Sequence, residues 1–236
     1  MITTDAVQSA LLERKGERVA LFITKGFHDL LIIGNQTRPR LFDLSVRKLS
    51  LLFETVFDVD ERVTVEGFSE DPEPQPIDVT SDSSLVEGLT GEPLRILKKP
   101  NYEAVRRDLQ RAWNSGYRSL AVALMHSFLY PEHELAIGRM AEAMGFKVAL
   151  SSQLQPMIKL VPRAQSATAD AYLSPIIADS LENFRKGFKG ELRDEHSGKL
   201  LMCQSDGGLT SFDTLTGLRA ILSGSGLAPT SPGYTC

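Results

Sequence analysis

The run from Gln204 to Asp213, QSDGGLTSFD, gathers an amide, hydroxyls and two carboxylates around a glycine pair, directly after the apolar run LLMC. Glycines beside an aspartate and a threonine are the composition of a phosphate loop, because they let a backbone approach an anion closely while the carboxylate holds its metal. The wider pattern is missing: neither SDGGLT nor LSGSG (222–226) carries the lysine of a nucleotide P-loop. Asp-Gly is equally a turn signal. Gln204, Ser205, Asp206, Gly207 and Gly208 are therefore expected to line a small-molecule cleft, as a strand end followed by a polar turn whose backbone groups face a ligand. A tight strand-to-helix connection, with Asp206 capping the next turn, explains the same residues without a ligand.

Three further residues have suitable chemistry. His126 follows the apolar run SLAVALM (119–125), at the carboxyl end of a predicted parallel strand where α/β sheets bind ligands. It serves equally well as a hydrogen-bonded loop anchor. Arg163, just after Pro162 near a predicted helix start, has the planar fork that grips a carboxylate or phosphate bidentately, although most surface arginines grip nothing. Asp170 lies among Ala164, Ala167, Ala169 and Ala171, where small residues permit close backbone approach and tight packing alone accounts for them. His126 and His133 are not spaced as ligands on one helix face, so no metal site is expected. No G-x-S-x-G elbow marks a nucleophile.

Composition narrows the partners. The 26 basic residues against 30 acidic ones leave no polybasic footprint, which argues against nucleic acid. The longest apolar run is far shorter than a bilayer span, and the N-terminal residues lack the apolar core of a signal peptide, so a cytoplasmic, membrane-free protein is expected. Cys203 and Cys236 are the only cysteines, too few for a disulfide framework.

The elements that must position these residues alternate. A helix through Leu12, stopped by Gly16, precedes a buried strand at VALFIT (19–24). Residues Glu66 to Pro93 contain eight acidic residues, no Lys or Arg, and prolines at 72, 74, 76 and 93, which predicts a solvated loop over 66–100 with at most one hairpin and little to bury. Asn101 is a good N-cap for a helix bearing Val105, Leu109, Ala112 and Trp113 on one face, with Gly116 as its stop. The strand at 119–125, a helix opening near Pro131 and closing at Gly145, and a strand at 147–152 predict a βαβ unit. Residues 161–189 read as one long helix or two, with Pro175 as the break or the new first turn, and 199–205 as a fourth core strand. The fold class is α/β with a mainly parallel sheet.

Five passages in this order resemble the hydantoinase/oxoprolinase family, in particular its eukaryotic ATP-dependent 5-oxoprolinase branch: ALLERKGERVALFITKGFHDLLIIGNQTRPRLFDL (10–44), VDERV (59–63), SLAVALMHSFLYPEHE (119–134), VPRAQSATADAYLSP (161–175) and LMCQSDGGLTSFDTLTG (201–217). The resemblance implies part of an actin-like lobe, the superfold of sugar kinases and chaperone ATPases. It also implies cleavage of the lactam of 5-oxo-L-proline to L-glutamate, coupled to ATP with magnesium and a monovalent cation, in glutathione-related metabolism.

That superfold holds phosphates on D-x-G-G-T-x-T-D hairpins. Residues 206–213 read D-G-G-L-T-S-F-D, with the glycines one position early and Leu209 where the register wants a small or hydroxyl residue, so the passage reads as a family landmark upstream of the true loop. The resemblance also predicts a boundary within the chain, with an N-terminal region over 1–153 and the start of the hydantoinase A/oxoprolinase domain over 154–224. The family's G-T-T-x-A-T-N-A is largely lost at Thr3 to Ala10, and its L-S-G-P-A-G-G-V fails at Ser225, leaving a divergent tail over 225–236. This pattern predicts a truncated piece, inactive alone, arising from an altered frame, a missed splice junction or a truncated gene. A hydantoin-cleaving relative and a non-catalytic interaction module are the alternatives, and homo-oligomerisation or docking to a full-length paralogue are the partner expectations.

Overall fold

The structure, a computed structural model, describes residues 6–35, 42, 50–67, 72–73, 77–186, 201–211 and 214–222. It divides into two compact units: 18–168, and a discontinuous unit of 1–17 with 169–236. The chain leaves the discontinuous unit at Glu17 and returns to hydrogen-bonding distance, since the Glu17 N–H donates to the Tyr172 carbonyl at 3.0 Å. Gly16 is needed at this closure because a Cβ there would sit 2.0 Å from a Tyr172 ring carbon. It is not the helix stop. Helix α1 (Ala6–Leu12) is closed by Arg14 in the left-handed region at φ 56°, with the Lys15 N–H donating to the Ala10 carbonyl at 2.9 Å.

Unit 18–168 is built on a four-stranded parallel sheet. Strand β1 (Val19–Thr24) pairs on one side with β2 (Thr55–Val59). The short α2 (Leu30–Ile33) and β3 (Arg62–Val65) lie on either side of β2 in the sequence. β4 (Leu85–Glu87), β5 (Pro93–Lys98) and helix α3 (Tyr102–Asn114) precede β6 (Ser119–Ala123), which pairs with the other side of β1. Helix α4 (Glu132–Ala143) then leads to β7 (Lys147–Leu150), giving the order β2-β1-β6-β7. Every residue of β1 and β6 is buried, as strands covered on both faces require. Val105, Leu109 and Ala112 of α3 and Ile137 and Ala141 of α4 join Phe22, Leu120 and Val122 in one core. Asn101 caps α3, accepting the N–H groups of Glu103 and Ala104 at 3.1 Å each.

The segment over 66–100 differs from the expected solvated loop. β3, β5 and β4 form a three-stranded antiparallel sheet, with Val63 opposite Ile96 and Val65 opposite Leu94. Val63, Leu94, Ile96 and Leu129 form a second core cluster. The acid is compensated from just beyond the acidic window: Arg95 grips Glu66 at 2.5 and 2.6 Å and Asp82 at 2.7 Å. The Asp82 carboxyl, accepting the Ser84 N–H and facing this guanidinium, is held down from 3.8 to about 2.

The last core strand also differs. Helix α5 (Ser151–Leu154) is followed by α6 (Leu160–Lys186), which continues through Pro175 with Leu173 and Ile177 buried on either side of it. Tertiary burial here overrides the helix-breaking tendency. β8 (Leu201–Cys203) does not join the parallel sheet; it pairs antiparallel with β9 (Leu209–Ser211) as a hairpin, followed by α7 (Gly217–Ala220). Residues 199–200 of the expected strand and the tail over 225–236 lie outside the described residues.

Two outcomes follow from this architecture. Residues 18–168 expressed alone should give one cooperative urea transition and dispersed amide resonances, since both hydrophobic clusters are built wholly from that unit; a collapsed form without fixed tertiary packing would contradict it. The lowered Asp82 carboxyl contributes stability that is full above its ordinary value of 3.8 and lost as pH falls to about 2. The gap in urea midpoint between wild type and Arg95→Met should therefore narrow on acidification through that window.

Candidate functional site

The turn of the β8–β9 hairpin holds the expected residues together. Gln204 N–H donates to the Gly208 carbonyl at 2.8 Å and Gly207 N–H to the Gln204 carbonyl at 3.1 Å. Gly207 takes φ +82°, a conformation that favours glycine. Asp206 Oδ1 accepts the Gly208 N–H at 2.8 Å, an Asx turn within the hairpin rather than a cap on a following helix. The Ser205 N–H and hydroxyl both donate to the Arg219 carbonyl at 2.7 Å, and the Ser205 hydroxyl accepts the Leu222 N–H at 2.9 Å.

These bonds decide the phosphate question on geometry. The backbone N–H groups of Gln204, Ser205, Gly207 and Gly208 are all satisfied internally, so the turn does not fit a nucleotide phosphate as a backbone cradle. The expectation that backbone groups face the ligand is corrected: the turn offers side chains. Gln204, Ser205 and Asp206 line a cavity of about 320 Å³, and the fourth lining residue is Arg219. Sequence reasoning missed this arginine. The signal was its proximity to SDGG and the turn residues between them, which allow a return of the chain, but the pairing that brings it back is non-local.

Asp170 belongs to the same unit as the hairpin. It is buried, and its Oδ1 accepts the Leu218 N–H at 2.9 Å, while the Ser174 hydroxyl accepts the Gly217 N–H at 2.8 Å. A Cβ on Gly217 would lie 2.5 Å from Leu173 Cβ. Asp170 thus caps the short helix that carries Arg219, and the small residues around it serve close packing.

Arg163 and His126 lie in unit 18–168. Arg163 is fully buried, not a surface clamp. Its Nε donates to the Met157 carbonyl at 3.1 Å, Nη2 to the Leu124 and Met125 carbonyls at 2.7 Å each, and Nη1 to the Ser151 hydroxyl at 2.7 Å and to the Ser127 hydroxyl. All five donors are used. Glu134, buried at 3.9 Å from Nη1, accepts from Ser151 at 3.2 Å and from the Ser152 N–H at 3.2 Å. Burial raises the Glu134 carboxyl and lowers the Arg163 guanidinium from their ordinary values, each opposed by the other's charge.

His126 sits just past β6 with its Nδ1 buried and, among the described residues, without a hydrogen-bond partner. Burial lowers its pKa, with Glu61 opposing and Arg163 and Arg62 reinforcing, which favours the uncharged imidazole. Beside it is a cluster that the sequence did not disclose: Thr24 donates to Glu61 at 2.5 Å and accepts the Met125 N–H at 2.9 Å, while His133 Nδ1 meets the other Glu61 oxygen at 3.1 Å.

The sequence that builds these elements matches a known family. The hydantoinase/oxoprolinase N-terminal region matches residues 1–145, and the hydantoinase/oxoprolinase domain matches residues 163–226. The chain belongs to the hydantoinase/oxoprolinase family. It is 45% identical over 225 residues to the 5-oxoprolinase of Saccharomyces cerevisiae, covering 95% of this chain and 17% of that protein. Against 5-oxoprolinase 1 of Arabidopsis thaliana the identity is 46% over 224 residues, with 94% and 17% covered. The chain therefore spans about a sixth of the length of these curated relatives. Among solved structures, the ATP-dependent caprolactamase of Pseudomonas jessenii superposes with a TM-score of 0.69 at 21% identity, over 94% of this chain and 29% of that one.

Arg163→Ala should destabilise unit 18–168 by about 3–5 kcal/mol, the usual result of stripping one partner from a buried charged pair. Urea titration measures this, and unchanged stability would return Arg163 to the ligand-contact candidates.

Proposed function

We propose that this chain is the part of an ATP-dependent 5-oxoprolinase that carries the SDGG hairpin, and that alone it does not turn over. The observation behind this reading is the 45% and 46% identity, across nearly all of this chain, to proteins named 5-oxoprolinase. Opening a five-membered lactam to L-glutamate needs an activated amide, and phosphorylation of its oxygen is the role ATP, with magnesium and a monovalent cation, plays in the assigned reaction. The SDGG turn does not provide a backbone cradle for that phosphate, so no chemical step is assigned to it.

What the hairpin offers is orientation. Arg219 supplies a guanidinium suited to the carboxylate of 5-oxoproline, and the Gln204 amide and the Asp206 carboxylate supply polar contacts within a cavity of about 320 Å³ that Ser205 also lines. Its size suits a ligand as small as a cyclic amide. His126 and Asp170 are secondary candidates, the first through its unpartnered nitrogen and the second through its hold on α7. The compartment assigned is the cytoplasm; among the described residues no helix is long and apolar enough to cross a membrane.

The experiment has two arms. The purified chain, assayed for ADP release with 5-oxoproline, magnesium and potassium, should match a buffer blank. In a protein extended to the relatives' length, Arg219→Ala and Asp206→Ala should each cut kcat/KM by roughly 10²-fold with the thermal midpoint unchanged. Turnover by the chain alone refutes the first part, and loss of activity that tracks loss of stability refutes the second.

A further inference from the structure

Helices α3 and α4 bury one face each in the core of unit 18–168, and a second face of each borders an open groove of about 640 Å³. On α3 the groove is lined by Tyr102, Arg106 and Gln110, which recur every four residues and so form one straight row. On α4 it is lined by Ala136, Met140, Ala143 and Met144, again one row, with Arg139 beside them. Eight helical steps between the ends make each row about 12 Å long. The cavity is thus a straight trough between two helices, the shape that receives the ridge of a third helix.

Its chemistry is as specific as its shape. Alanines alternating with methionines give an apolar floor that is shallow at some positions and deformable at others, as surfaces that seat helical partners are. Arg106 and Arg139 are exposed, one from each helix. Among the described residues neither forms an ion pair or a hydrogen bond. Other arginines of this unit do have carboxylate partners, Arg18 in Glu54, Arg95 in Glu66 and Asp82, and Arg111 in Asp108, while Arg118 over Trp113 and Arg62 over Phe27 donate to backbone carbonyls. Two unmatched guanidiniums flanking one apolar trough, on a chain of net charge −4, call for carboxylates on both edges of whatever lies there.

We infer that the α3/α4 trough is a docking surface for an acidic amphipathic helix supplied by another polypeptide, with apolar residues at i, i+4 and i+7 seated over Met140 and Met144 and Glu or Asp flanking them towards Arg106 and Arg139. This interface is independent of the hairpin reading. Its charge pairs set register and selectivity, and the methionine floor supplies the burial.

The probe is a fluorescein-labelled synthetic helix of about 16 residues with leucines at those positions and glutamates at the flanks, and a twin with lysines in place of the glutamates. Anisotropy on the intact chain should show binding of the acidic peptide only. Arg106→Glu with Arg139→Glu should weaken it by about tenfold or more and transfer preference to the lysine peptide, while Met140→Glu abolishes both. The thermal melt of the charge-reversed double variant should match wild type, because Arg106 and Arg139 are exposed; Met140 packs against the core, so its variant is compared at a temperature where its own melt shows it folded. Absence of binding to wild type, equal affinity for the two peptides, or insensitivity to the charge reversal would each overturn the proposal. Light scattering tests a second copy as occupant: a dimer dissolved by Met140→Glu would show that another copy of this chain fills the trough, which also overturns the proposal.

Discussion

The arrangement of unit 18–168 depends on a charge placed where water cannot reach it. Arg163 lies wholly inside, and a guanidinium there is tolerable only if each of its five N–H groups meets an acceptor. The acceptors come from the end of β6, from the loop carrying Ser127, from the start of α5 and from the Met157 carbonyl. Segments far apart in the sequence must therefore converge on one point. Glu134 completes the set from α4, with Ser151 bridging the two charges as acceptor to one and donor to the other. Hydrophobic contacts could bring these segments together in many ways. A planar fork with fixed donor directions allows few, and it fixes the backbone at Leu124 and Met125, from which His126 projects.

The same reasoning separates the two kinds of polar residue at the hairpin. Backbone donors used to close a turn are not available to a ligand. Ser205 is likewise committed, since its hydroxyl joins the Arg219 carbonyl to the Leu222 N–H. Once these are removed from the inventory, the Gln204 amide, the outer oxygen of Asp206 and the Arg219 guanidinium are what the cavity presents. A sequence rich in glycine and hydroxyls suggests a flexible anion nest; the hydrogen bonds instead make a rigid turn whose function must come from three side chains.

Much of the fold was legible because its determinants are local. Asn101 before an amphipathic run, Gly116 and Gly145 at positive φ, and the uninterrupted apolar runs at 19–24 and 119–123 located α3, β1, β6 and their connections. What was illegible is non-local. The acidic stretch over 66–93 contains no cation of its own, and only the fold brings Arg95 onto Glu66 and Asp82 while Val63 and Leu129 cover Leu94 and Ile96. β8 is apolar enough for a core strand, but the Gly207 turn sends it back on itself. The compact units were hidden for the same reason: a unit made of 1–17 and 169–236 cannot be seen as a boundary in a linear scan, and its closure rests on Gly16 accommodating the Tyr172 ring.

Asp170 shows how a residue with the right chemistry can act at one remove. A helix as short as α7 leaves nearly all of its N–H groups without internal partners, and in isolation it would not persist. Each of those groups is taken up: Gly217 by the Ser174 hydroxyl, Leu218 by Asp170, Arg219 by the Thr216 hydroxyl at 3.5 Å and Ala220 by the Thr216 carbonyl at 3.1 Å. On its other side, the Arg219 carbonyl receives both Ser205 donors. The helix is therefore suspended between α6 and the hairpin, and the direction of the Arg219 side chain is set by both. Asp170 touches none of the cavity-lining side chains through its own bond to Leu218, yet removing it would release the first turn of the element that bears the cavity's one guanidinium. The run TADAYLSP is thus read in the structure as a support for that arginine, which explains why small residues, a carboxylate and a serine recur there without forming a site themselves.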